Sequence, residues 1–232
     1  MIRTLSAALA LVAGASPALA AQRDYSITDF DRVEVNGPYQ VSLTVGRSST
    51  ARASGTIEAL DRIELEVQGT TLRIHPNHSA WGGYPGRPEG GPITITLTTQ
   101  QLRSAIVNGA GQLSIDKARG LRLDLSVTGS GELQAGTIDA DTLSLALLGS
   151  GRMKLAGKAK AVRGEFHGSG SLEADALTTS DAQIVGDTAG SVRLAATRTA
   201  TVISTASGDV TILGSPACTV KLSGNGSVHC GR

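Results

Sequence analysis

The side chains best suited to metal chemistry in this sequence lie in the segment 75–91, which reads HPNHSAWGGYPGRPEGG. His75 and His78 stand three residues apart, and Glu89 could join them to give a metal ion three protein ligands. The alternative is that both histidines are exposed loop residues, and the many glycines and prolines around them favour that interpretation. We therefore predict no metal ion and no cofactor.

The same segment holds two aromatic side chains that could contact a ligand. Trp81 and Tyr84 lie among glycines and prolines, where an exposed ring can stack on a sugar or on a partner surface. The alternative is that Trp81 folds back and covers one end of the domain. Long loops without secondary structure are uncommon in compact domains and often functional, so we take both aromatic residues and both histidines as candidate binding residues.

No arrangement of side chains in the sequence points to catalysis. Cleavage of a polysaccharide needs carboxylates that converge on one spot, and Asp139 and Asp141 stand two residues apart, in a DADT stretch typical of a turn. His167 is a single histidine at the edge of a glycine turn, where such residues are usually solvated. The serines of these turns have no neighbouring base, and no nucleophile elbow opens a helix. We therefore predict no catalytic residue.

Glycines recur at a nearly constant interval through the second half of the chain. The steps between successive turns are 20, 20, 19, 20, 18 and 18 residues, and periods of this length are typical of solenoids. The predicted turn glycines are Gly109 and Gly111, Gly129 and Gly131, Gly149 and Gly151, Gly168 and Gly170, and Gly224 and Gly226, with looser copies at Gly190 and Gly208.

Each period also contains strands. Apolar residues alternate with polar ones in 121–127 and 143–147, which indicates a strand with one buried face. A second short strand follows each glycine turn, and a polar turn such as 116–120 (DKARG) or 139–142 (DADT) ends the period. Stacked coils bury the apolar faces that one coil would expose, and glycine permits tight reversals between sheets. The predicted fold is all-β, a single-chain β-solenoid with about 20 residues per coil.

The sequence before the repeats is less regular but also predicts strands. The patterns are two alternating strands in 30–46, a hairpin-like pair around Gly69 in 63–74, and a further strand in 93–98. No linker separates this part from the repeats. We therefore predict one domain over 21–232, less regular over 30–107 and built of regular repeats over 108–232.

Residues 1–20 predict a secretory signal peptide that is cleaved before Ala21. Arg3 precedes a short apolar run, and Ala18 and Ala20 form an A-x-A cleavage site. A membrane anchor is the alternative, but the run is too short for roughly 30 Å of hydrocarbon, so we predict no transmembrane span. The protein is expected to be exported, to the periplasm, the outer-membrane surface or the medium.

The charge of the mature chain is balanced. Loss of Arg3 with the signal peptide leaves 20 basic and 20 acidic residues. The sequence has no run of basic residues and no aromatic residues interleaved with them, which are the usual marks of nucleic-acid binding. Nucleic acid is therefore not a predicted partner.

The two cysteines, Cys218 and Cys230, lie near the C-terminus. An exported chain meets an oxidising compartment, and an even number of cysteines favours one disulfide; two buried free thiols are the alternative. The bond would clamp the last coil, which has no neighbour on one side. Reduction is then expected to lower the melting temperature.

Three stretches resemble one known family. They are FDRVEVNGPYQVSLTVG, LDRIELEVQGTTLRI and PITITLTTQQLRSAIVNGAGQLSI, followed by serial GSG turns. The chain is closely similar over these stretches to the head GIN domain family, described as putative auto-transporter adhesins, from about Phe30 to the C-terminus. The resemblance implies a superhelix of β-strands with GSG turns, in secreted bacterial proteins. The family carries no agreed catalytic residues to transfer.

Together these features predict an exported, non-enzymatic β-solenoid that adheres to or binds a partner at the cell envelope. A cell-surface glycan or an envelope protein is the expected type of partner. The first alternative is a structural element that assembles with copies of itself, and the second is a carbohydrate-active enzyme of the β-helix type.

Overall fold

The computed structural model describes residues 21–77, 91–205 and 207–231. In these residues one four-residue helix accompanies the strands, and no helix is long and apolar enough to cross a membrane. The elements are β1 (Ala21–Tyr25), β2 (Arg32–Asn36), β3 (Gln40–Val45), β4 (Thr50–Gly55), α1 (Ile57–Leu60), β5 (Ile63–Gln68), β6 (Thr71–Pro76), β7 (Thr94–Thr99), β8 (Ser104–Gly109), β9 (Gln112–Ile115), β10 (Ala118–Gly129), β11 (Glu132–Gly149), β12 (Arg152–Gly168), β13 (Ser171–Thr188), β14 (Ser191–Ser204), β15 (Asp209–Gly214), β16 (Ala217–Leu222) and β17 (Ser227–Cys230).

The strands stack in parallel coils along one axis, which confirms the predicted β-solenoid. The stacking order differs from the chain order at the N-terminal end. The coil of β2 and β3 lies between the coil of β6 and β7 and the coil of β8 and β9. Strands β5, β4 and β1 close this end by antiparallel pairing, and α1 buries Ala59 and Leu60 beside them. The predicted hairpin around Gly69 is the antiparallel pair β5 and β6.

Each regular coil has three straight segments. In β11 buried and exposed residues alternate, and the alternation breaks where Gly136 and Thr137 both face solvent and again at Asp141 and Thr142. We name the three surfaces of the stack by their strands. Face 1 comprises β6, β2, β8, β16 and the last segments of β10 to β14; face 2 comprises β7, β3, β9, β15, β17 and the first segments of β11 to β14; face 3 comprises the short middle segments, such as 138–140.

The polar turn predicted at 139–142 is wrong. Strand β11 runs through this stretch, and Ala140 and Thr142 pair with residues of the next coil. The strand bends here, at a corner between two faces. The backbone hydrogen bonds between neighbouring coils persist through the bend because every coil bends at the same place along the stack. The stretch 116–120 fits the prediction better, since Asp116 and Lys117 lie between β9 and β10.

The glycine turns form a column at the corner between faces 1 and 2. Gly109, Gly129, Gly149 and Gly168 pair in register along the stack, and all four have positive φ, between 99° and 114°. The second glycine of each turn lies against the turn below, so that a Cβ on Gly131 would come within 2.7 Å of the carbonyl oxygen of Gly111. The turn at 37–39, between β2 and β3, continues this column.

The interior of the coils is filled by inward-facing apolar side chains in ladders along the axis. One such ladder on face 1 runs from Val127 through Leu147 to Phe166 in adjacent coils. Among the described residues Phe166 is the largest fully buried side chain, and the space for its ring comes from Gly164, where a Cβ would meet the ring at 2.3 Å. A glycine two positions away on the same face therefore compensates for a phenylalanine in a narrow interior.

Candidate functional site

The residues predicted to bind a ligand fall mostly outside the described part of the chain. Those outside it are His78, Trp81 and Tyr84, together with Glu89 of the alternative metal site. His75 is the penultimate residue of β6, with Nε2 3.8 Å from a carboxylate oxygen of Glu66 and Nδ1 3.1 Å from the carbonyl oxygen of Pro76. In the described ranges no group of three His, Cys, Asp or Glu residues could hold a metal ion. Binding by segment 75–91 stays a prediction.

The carboxylates of Asp139 and Asp141 belong to ion pairs between coils. Asp139 lies 3.6 Å from the ammonium group of Lys158, and Asp141 lies 2.8 Å from that of Lys160. Both lysines belong to the next coil along the stack, because an offset of 19 residues carries one coil onto the next here. Each aspartate is thus paired with its own lysine, and the two carboxylates do not form a common site.

A shallow groove of about 590 Å³ crosses the outer surface of face 1. Its floor consists of small side chains, among them Ser126, Ser144 and Ala146. The floor is low because residues one coil apart stand side by side: Ser126 pairs with Ala146, and Asp124 pairs with Ser144. The period that builds the core therefore also aligns small outward-facing residues into a depression.

Charged side chains of both signs border the groove. Asp124 lies at the end of the groove nearer the N-terminal coils. Arg163 and Glu165 lie in the next coil after Ser144 and Ala146. In the part of the chain that the structure describes, neither Asp124 nor Arg163 has a side-chain hydrogen bond or ion pair. These two groups are free to pair with charges on a bound molecule.

His167, beside the groove, is bound by two carboxylates. Its Nε2 lies 3.0 Å from Glu165 and its Nδ1 2.5 Å from Asp187. The hydrogen bonds to Glu165 and then to Asp187 raise the pKa of His167 above its usual value. His167 is therefore not a single, unpartnered histidine, although its side chain is exposed to solvent as expected. The 20-residue period was the signal that could have found it, because Asp187 follows His167 by one coil.

The cluster around His167 predicts a pH dependence of stability. Glu165 on the same strand and Asp187 on β13 face the ring, and Leu148 is its neighbour on β11. Since the pKa is raised in the folded state, the stabilisation is complete below the unfolded pKa of about 6.5 and is lost as the pH rises through the higher folded pKa. The melting temperature of the native chain should exceed that of His167→Gln by more at pH 6 than at pH 9.

Thermal melts of both proteins at several pH values test this expectation. NMR titration of the ring gives a direct measurement, in which Asp187→Asn should lower the pKa of His167. A difference in melting temperature that is constant from pH 6 to pH 9 would contradict the proposed ion pairs.

The sequence matches a family model described as "Putative auto-transporter adhesin, head GIN domain" over residues 29–216. The chain belongs to the head GIN domain family. The match covers all of face 1 up to the start of the last coil, so the groove lies within the family's domain. No curated protein matches the sequence closely enough to count as a relative.

Solved structures share the fold of this head GIN domain. A putative adhesin from Bacteroides fragilis NCTC 9343 superposes with a TM-score of 0.81 at 21% identity, covering 92% of this chain and 96% of that chain. A protein named a putative lipid binding protein from Parabacteroides distasonis ATCC 8503 gives 0.74 at 21% identity, covering 90% and 96%. A putative adhesin from Parabacteroides merdae ATCC 43184 gives 0.69 at 17% identity, covering 90% and 95%.

The C-terminal coil of the head GIN domain ends in a disulfide. Cys218 on β16 and Cys230 on β17 are bonded, with Cα atoms 6.5 Å apart. Cys218 pairs in register with Ala200, and Cys230 with Ile212, and both of these partners are buried. The cysteines therefore continue two interior ladders, and their bond joins faces 1 and 2 across the open end of the core.

Proposed function

We propose that this head GIN domain protein is an exported, non-enzymatic module of the cell envelope that binds an extended partner in the groove on face 1. The groove carries the proposal: it combines a floor of small side chains with the unpaired charges of Asp124 and Arg163. A concave surface with a few unsatisfied polar groups is the usual form of a ligand site. A rigid stack of coils holds these groups in fixed positions without a ligand-induced ordering cost.

Several features support the remaining parts of the proposal. The disulfide between Cys218 and Cys230 and the family's description as adhesins favour export. The predicted signal peptide in 1–20 agrees with this but lies outside the described residues. A binding rather than a catalytic role is favoured because the candidate carboxylates Asp139 and Asp141 are neutralised by lysines of the next coil.

The shallow shape of the groove favours a glycan or a peptide over a lipid. One structural relative is named a putative lipid binding protein, and a lipid needs a deep apolar pocket to remove its chains from water. The groove is shallow, and serines and charged residues line it together with apolar side chains such as Ile106 and Val185. Glycans and extended peptide segments suit such a surface better.

Filling the groove should abolish binding. Ala146→Trp places an indole on the groove floor, whereas Ala176→Trp adds the same ring at an exposed corner between faces 2 and 3. The mature chain would be tested against neutral and acidic polysaccharides and immobilised extracellular proteins by biolayer interferometry. We expect Ala146→Trp to weaken binding at least tenfold and Ala176→Trp to leave it unchanged. Equal binding by both variants would contradict a role for the groove.

Self-assembly is a second candidate function because the C-terminal end of the stack is open. Strand β16 is exposed along its whole length, with Val220 43% and Leu222 41% exposed. An unpaired edge with apolar side chains can pair with the same edge of a second copy. Analytical ultracentrifugation tests this: Val220→Lys should abolish any concentration-dependent dimer, and a monomer at all concentrations would exclude this function.

A further inference from the structure

We propose that a cluster of four arginines beside the groove binds the acid groups of an anionic polysaccharide. The cluster, which we call the arginine depression, surrounds a hollow of about 710 Å³ lined by Arg32, Arg103, Arg119 and Arg122. The proposal rests on the binding function proposed above and specifies the chemical class of its ligand.

The arginines come from distant parts of the sequence. Arg32 begins β2, Arg103 precedes β8, and Arg119 and Arg122 lie in β10. They meet at the junction between two kinds of coil. On one side is the segment 100–103, which crosses from β7 on face 2 to β8 on face 1. On the other side is the coil of β10, the first coil that has a third face. The irregular N-terminal coils and the regular repeats leave a hollow at this junction.

The depression holds more positive charge than its neighbours neutralise. The carboxylate of Asp31 lies 3.2 Å from the guanidinium group of Arg103 but 4.0 Å from that of Arg32. The carboxylate of Asp139 lies 3.9 Å from Arg119 and is closer to Lys158, at 3.6 Å. Arg122 has no ion pair or side-chain hydrogen bond with any described residue. The unpaired carboxylate of Asp124 also lines the hollow, so four arginines face three carboxylates, of which Asp139 is shared with Lys158. Because the mature chain as a whole is neutral, this surplus marks a local surface for anions.

The arginine side chains are accessible to a ligand. Arg32, Arg103 and Arg119 are 59%, 63% and 76% exposed, and Arg122 is also exposed. The planar guanidinium group donates two parallel hydrogen bonds to a carboxylate or a sulfate, which gives both strength and orientation. Leu121 lies among them and is 80% exposed, so it offers an apolar contact for the carbon skeleton of a sugar ring.

The depression and the groove are continuous, which favours a polymer over a small anion. Ser104 and Asp124 line both hollows. From Asp124 the same outward column passes through Ser144 to Arg163, a distance of two coils or about 10 Å. A chain with repeated acid groups could therefore contact the arginine depression and Arg163 at once.

The lining favours an acidic polysaccharide over a nucleic acid. Nucleic-acid surfaces make many phosphate contacts and stack bases on aromatic rings. The described residues that line the depression and the groove include no aromatic side chain, and the cation cluster is small. In an acidic polysaccharide, by contrast, a few arginines would bind the acid groups, and small and apolar side chains would contact the sugar rings.

The test compares a double variant with a matched control. Arg119→Gln with Arg122→Gln removes two cations from the depression, and Arg47→Gln with Lys154→Gln removes two exposed cations outside both hollows. Polygalacturonate, chondroitin sulfate, neutral dextran and single-stranded poly(dT) would be the probes, at two salt concentrations. Thermal melts of both variants would verify that they fold.

We expect one acidic polysaccharide to bind the native chain in a salt-dependent manner and dextran not to bind. The arginine double variant should lose at least tenfold in affinity, and the control should stay within about twofold of the native chain. Equal loss in both double variants, tighter binding of poly(dT), or no binding of either acidic polysaccharide would overturn the inference. A neutral or protein ligand that is blocked by Ala146→Trp but not by the arginine substitutions would overturn it while leaving the proposed function in place.

Discussion

Replacing Phe166 with alanine is expected to lower the free energy of unfolding by about 3–5 kcal/mol. The ring is 1% exposed and lies in the interior ladder beside Leu147, over the space that Gly164 leaves free. Because Gly164 has no side chain to move into the vacated volume, the site collapses poorly and a cavity remains. Urea unfolding followed by circular dichroism measures the loss.

Phe166→Leu provides the comparison for this variant. Leucine retains most of the apolar volume and should cost less than about 1.5 kcal/mol. If alanine costs no more than leucine, the interior is loosely packed at this coil, and the compensation between Phe166 and Gly164 described above is wrong.

Replacing Gly149 with alanine should strongly destabilise the glycine column. Gly149 has φ of 114°, and a Cβ would lie 2.6 Å from the carbonyl oxygen of Gly129 in the coil below. The backbone strain alone costs about 1–3 kcal/mol, and relief of the clash requires the two coils to separate. We expect a total loss of at least about 2 kcal/mol in urea unfolding.

Ser150→Ala is the matched control because it adds no atom in the same turn. The side chain of Ser150 makes no hydrogen bond with any residue of the described ranges, and its backbone N–H donates to the carbonyl oxygen of Gly129. Its loss should therefore stay within about 0.5 kcal/mol. Similar values for Gly149→Ala and Ser150→Ala would show that the turns are not in tight contact along the axis.

The repeats were readable from the sequence because one period governs both the turns and the core. The step of about 20 residues predicted that Gly129 and Gly149 would pair, and they do. The position of the β2–β3 coil was not readable, because parallel partners need not be neighbours in the chain. Strand β2 pairs with β6 and β8, which follow it by very different separations.

The residues of the groove could have been brought together from the sequence period, whereas those of the arginine depression could not. Ser126 and Ala146 could have been aligned from the period, as could His167 and Asp187. Arg32 and Arg103 could not, because they belong to the irregular part, where no period relates one coil to the next. No run of basic residues in the sequence therefore marks this cationic surface.

The sequence by itself determined the winding of the chain and the family, because alternation of apolar residues and regularly spaced glycines are local features that every coil repeats. Only the tertiary structure decided the order of the N-terminal coils, the continuous strands through the polar corners and the meeting of four arginines at a junction. These depend on hydrogen bonds and packing between segments far apart in the chain, and no local pattern of residues encodes which segments meet.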